Sequence, residues 1–60
     1  MQRKYKMYTI VYAVLHPLKE DAEIICTQHL NSKHMSGAIR QAVQNETRNV
    51  IRIIRACERV

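Results

Sequence analysis

Tryptophan and phenylalanine are absent from this chain, glycine and proline occur once each, and only five acidic residues stand against ten lysines and arginines. Each shortage excludes something. With Gly37 as the sole glycine there is no glycine-rich loop to cradle a phosphate. Two cysteines close at most one disulfide, so this is not a cysteine-stapled scaffold. Apolar runs are only a few residues long, too short to span a bilayer. The N-terminus has no charged n-region, apolar core and small-residue cleavage site in series. The expected compartment is therefore the cytoplasm, where both cysteines stay free thiols. The shortage of acids leaves a formal charge of +5, which implies an anionic partner: an acidic protein surface or nucleic acid.

What remains reads as one small globular domain, residues 1–60, with 47% hydrophobic and 25% charged residues. A chain this short buries only about 60% of its unfolded surface, so its stability is marginal. Its basic lead-in, residues 1–4, is expected to fray. The charges are uneven. Arg3, Lys4, Lys6 and Lys19 precede a cluster of Glu20, Asp21 and Glu23, and six further bases follow against Glu46 and Glu58.

From Tyr5 to Leu15 the chain is dense in Tyr, Val, Ile and Thr, which suit a pleated surface. Alternation puts Tyr8, Ile10, Tyr12 and Val14 on one face and Met7, Thr9, Val11, Ala13 and Leu15 on the other. A strand apolar on both faces belongs in the middle of a sheet. Pro17 and the charged residues after it break the run as a hairpin connection. Ala22 to Leu30 reads as a second strand, with Asn31, Ser32 and Lys33 as a polar break. Met35, Ala38, Ile39, Ala42 and Val43 then recur at helical spacing, with Ser36 the best chemical candidate for the cap. The weak helix formers Asn45, Thr47 and Asn49 mark the helix end.

Val50 to Cys57 admits two readings. Its β-branched residues Val50, Ile51, Ile53 and Ile54 favour a strand, but Arg52 and Arg55 then fall on opposite faces or across a bulge. As a helix it would line Arg48, Arg52, Arg55 and Arg59 along one stripe. That helix would also bring Glu46 onto the apolar face, and the polar break before it counts against it. The strand reading gives an α+β domain, ββαβ, with an antiparallel sheet of order 2-1-3 and one helix on one face. The alternative is a hairpin followed by one long C-terminal helix. One helix cannot cover both faces of the central strand, so a homodimer through the open sheet face or a sheet edge is expected.

The helix opening HMSGAIRQA and the closing segment VIRIIRAC resemble small ββαβ host-takeover proteins of lytic phages, among them the T-odd coliphage RNA polymerase inhibitor and some small anti-CRISPR proteins. The likeness covers about the last half of the chain. It implies a non-catalytic inhibitor or adaptor that docks on an acidic surface of a host nucleic-acid-handling complex, of RNA polymerase or CRISPR effector type, with Arg52 and Arg55 matching the inhibitor's polymerase-contacting arginines. One residue more separates these arginines here than in the inhibitor.

Other constellations are weaker. Cys26, His29, His34 and Cys57 lack the paired spacing of a structural zinc site, so no metal or cofactor is expected. No nucleophile, base and orienting group stand out, and so short a chain offers no cleft, so no enzyme is expected. Tyr5, Tyr8 and Tyr12 among basic residues could stack bases, although packing against a partner is the simpler role for Tyr8 and Tyr12. The expected partner-binding residues are thus Arg52 and Arg55, with Arg59 at the rim and Tyr8 and Tyr12 on the sheet face.

Overall fold

The computed structural model describes residues 4–59; residues 1–3, most of the expected frayed lead-in, lie outside it. The chain runs as strand β1 (Lys6–Leu15), strand β2 (Glu23–Ser32), helix α1 (Met35–Asn45) and strand β3 (Val50–Glu58). The sheet order is β2-β1-β3, with both pairings antiparallel, so this is the ββαβ fold and the long-helix alternative does not hold. β2 starts and ends slightly later than its composition suggests, at Glu23 and Ser32. The 11-residue α1 is too short to cross a membrane, and no other helix is described.

The hairpin is closed by His16 and Pro17. The His16 N–H donates to the Ala22 carbonyl at 3.0 Å, and its ring Nδ1 accepts the Leu18 and Lys19 amides at 3.0 and 3.1 Å. The imidazole thus satisfies amides that the proline-containing turn leaves free. After β2 the chain enters α1 almost at once. His34 occupies the N-cap position with an extended backbone and no side-chain cap, and the expected cap, Ser36, lies inside the helix. Ser32 holds this junction instead, donating to the His34 carbonyl at 2.8 Å and accepting its amide at 3.3 Å. The junction is so close that a Cβ on Gly37 would stand 2.7 Å from Ser32 Oγ. The lone glycine answers a close approach rather than a turn.

The core lies between α1 and one face of the sheet. Tyr8, Ile10, Tyr12 and Val14 of β1 pack beneath Ala38 and Ala42, with Ile24, Cys26, Leu30, Ile39, Val50, Ile53 and Ala56 around them. Ile10 and Val14 are fully buried. Two alanines form the centre of the helix face, which lets α1 sit low over the bulky residues of β1.

β3 achieves its fit by irregularity. Its register against β1 shifts between Val11 and Tyr12 and again between Ala13 and Val14. Each shift leaves one β3 residue without a partner, Ile54 and Ile51 respectively: two β-bulges. Val50, Ile53 and Ala56, three apart in sequence, therefore all point to the helix side. The helix-like spacing of this segment is the spacing of a strand with two bulges.

Candidate partner-binding face

The same bulges decide where the arginines go. With strict alternation Arg52 and Arg55 would project from opposite faces. The extra residue Ile54 restores them to one face, Arg52 across from Ala13 and Arg55 across from Val11. The Arg59 amide donates to the Met7 carbonyl at 2.7 Å, which carries Arg59 to the position across from Met7. All three arginines thus stand in one column along β3, on the face that α1 leaves open.

The rest of that face is mostly apolar or weakly polar. β1 contributes Met7, Thr9, Val11, Ala13 and Leu15, and β2 contributes Ile25, Thr27, His29 and Asn31 alongside them. Ile25 is 57% exposed, a large apolar side chain left to solvent. Thr9 Oγ1 and His29 Nδ1 lie 3.0 Å apart, with Cys57 on the far side of Thr9.

Arg52 reaches Glu23 at 2.7 Å, from β3 to β2 across the width of β1. Ala13 lies between them in the sheet and has no exposed surface. The hydrogen bond that Arg52 donates to Glu23 raises the Arg52 pKa, with the carboxylate's charge adding to it. Both side chains are well exposed, so this pair orients Arg52 more than it stabilises the fold. Arg55 is exposed and has no ion-pair partner among the described residues. Its guanidinium is free for a carboxylate from outside.

Tyr8 and Tyr12 do not belong to this surface. They are 4% and 3% exposed and form the floor of the core under α1, because the helix covers their face and leaves the other open. Neither is accessible to a partner, so that expectation is corrected. Tyr5 is the exposed tyrosine, at 57%, with Lys33 Nζ 5.6 Å from its ring centre. It borders an open hollow of about 450 Å³ with Lys4, Met7 and Asn31, and an adjoining one that Arg59 also lines.

Sequence reasoning missed a polar clasp on the helix side. The Tyr12 hydroxyl donates to Glu46 Oε1 at 2.7 Å and accepts from Gln28 Nε2 at 2.8 Å. Gln28 also donates to the Ala42 carbonyl, and Arg48 grips Glu46 at 2.8 and 3.1 Å while reaching Cys26 Sγ at 3.4 Å. Arg48 first, and Tyr12 second, hold the Glu46 carboxyl at a pKa of about 2. Burial pushes the Tyr12 phenol up. The arrangement ties the C-terminal end of α1 to β1 and β2. One signal pointed to it: Glu46 continues the apolar phase of the helix.

Cys26 lies on the helix side and Cys57 on the open side, on opposite edge strands, both as free thiols. No group of three metal-ligating side chains occurs among the described residues. No protein-family model, curated protein or solved structure matches the chain.

Proposed function

We propose that this protein is a non-catalytic inhibitor or adaptor, of the phage-encoded kind, that lays its open sheet face on an acidic surface of a host nucleic-acid-handling complex. One observation carries the reading: Arg52, Arg55 and Arg59 form a single column on the uncovered face, beside apolar Val11 and Ile25. Apolar neighbours become dry on docking, and a guanidinium paired there with a carboxylate gains strength as water leaves. Arg55 is the anchor because its charge is unspent. Arg52 assists after exchanging Glu23 for a partner group, and Arg59 works at the rim, where charge mainly speeds association.

The test begins with capture of the partner from a bacterial lysate, followed by titration with Arg55→Ala and Arg52→Ala. Loss of an anchor lowers affinity by about 30-fold while the circular dichroism stays unchanged. If both variants bind like the wild type, the open face is not the docking surface.

A second reading, a small nucleic-acid-binding regulator, rests on Tyr5. Its exposed ring with Lys4, Lys33 and Arg59 nearby offers a stacking surface with phosphate contacts. DNA and RNA oligonucleotides titrated at several salt concentrations separate the two readings, since phosphate contacts give a steep salt slope.

A further inference from the structure

The two edges of the sheet are protected unequally. β3 carries two bulges, which bend an edge away from strand pairing, and three arginines follow along it to Arg59. β2 has none of these devices. Its register runs unbroken from Lys6↔Ser32 to Leu15↔Glu23, and its ten residues contain no proline, no lysine and one charge, Glu23, which Arg52 engages. The bond from the His16 amide to the Ala22 carbonyl fixes the hydrogen-bonding phase. Even-numbered residues of β2 bond to β1, so Ile25, Thr27, His29 and Asn31 turn their backbone N–H and C=O groups outward.

We propose that β2 is a self-pairing edge, through which two copies of this chain join antiparallel into one continuous sheet of twice the width. The argument for a second copy as the occupant is register and charge. With Thr27 opposite the partner's Thr27, the outward groups of both strands meet. Ile25 then faces the partner's His29, Ile24 faces the partner's Leu30, and no like charges oppose each other. Ile24 and Leu30 are only half-buried in the single chain and gain cover across the seam, whereas the β1 residues beneath α1 are already sealed. Pairing through the open face would instead bury the exposed Arg52, Arg55 and Arg59 of both copies, and that desolvation favours the edge. The assembly leaves both open faces on the same side of the joined sheet, free for the partner above; it does not depend on what that partner is.

Sedimentation equilibrium and amide hydrogen exchange test this. The wild type sediments as a dimer at micromolar concentration, with slow exchange at Ile25, Thr27 and His29. Thr27→Pro removes an outward N–H and no bond to β1, and weakens self-association by at least about tenfold. Thr27→Lys sets a charge against its own copy and produces the monomer without touching the ladder, should the proline variant fail to fold. A wild type that stays monomeric overturns the proposal. So does a dimer in which those amides exchange as freely as exposed ones, or one that survives Thr27→Lys.

Discussion

On the helix side of the sheet, Tyr8, Ile10, Tyr12 and Val14 are sealed beneath two alanines; on the other side their chain neighbours Met7, Val11 and Leu15 stay open although they are scarcely less apolar. Hydropathy does not distinguish the two sides. The difference is what the flanking strands place beside them. Toward α1 the flanks supply Ile24, Leu30, Val50 and Ile53, and the polar groups that enter, Gln28 and Glu46, are hydrogen-bonded to each other through Tyr12. Toward solvent the flanks supply Arg52, Arg55, Thr27 and His29. One side is closed chemically as well as sterically, while the other keeps charge at hand for an outside group.

Ile53→Asp attacks that contrast most directly. It sets a carboxylate on the sealed side, opposite Tyr12 and beneath α1. Burying an unpaired charge costs about 3 kcal/mol or more, enough to unfold a domain of this size. Chemical denaturation of this variant shows no cooperative transition, whereas deletion of the unpaired Ile54 unfolds close to the wild type, because Ile53 and Arg52 then keep their faces by plain alternation.

Ile10→Ala and Val11→Ala compare the faces at adjacent residues. The buried change costs about 2–5 kcal/mol and the half-covered one about 1 kcal/mol or less, read from urea midpoints. Equal losses would mean that the open face is packed in solution.

Tyr12→Phe keeps the ring and removes the hydroxyl at the centre of the clasp. It costs about 1–2 kcal/mol, because Glu46 and Gln28 lose their shared partner. Acid has a gentler effect through the same group. Glu46 is deprotonated in the folded chain down to about pH 2, while the unfolded chain takes up the proton near its ordinary 4.5. Its contribution is complete above that value and fades as pH falls from about 4.5 toward 2. Glu46→Gln flattens the acid limb of thermal stability across this window, and an unchanged limb removes the clasp from the account.

Much of the fold was legible in the chain. A strand apolar on both faces had to be central, Pro17 and its charged neighbours had to turn, and Met35 to Val43 had the period of a helix. The site was only half legible. The three arginines could be named, but their common face could not, because alternation assumes one residue per pairing step and each bulge breaks that assumption. Tyr8 and Tyr12 were misplaced for a related reason. When both faces are apolar, the pattern does not say which one the helix covers; the alanines at Ala38 and Ala42 settle that only once they are seen above Ile10. The clasp was mostly hidden because Tyr12, Gln28 and the Glu46–Arg48 pair come from three separate segments, and only the apolar phase of Glu46 hinted at it.

The central place of β1 also sets an order of events. Leu15 meets Glu23 across a short turn, so the first hairpin can zip locally, but Tyr8 meets Glu58 only after nearly the whole chain has come back. The loop entropy of that return must be met before the β3 ladder contributes anything. β3 is therefore the last strand to dock and the first to open, with its ladder interrupted twice. The strand that bears the arginines is thus also the one whose amides lose protection earliest, and a ligand held by them would slow the unfolding of the whole domain rather than hasten its folding.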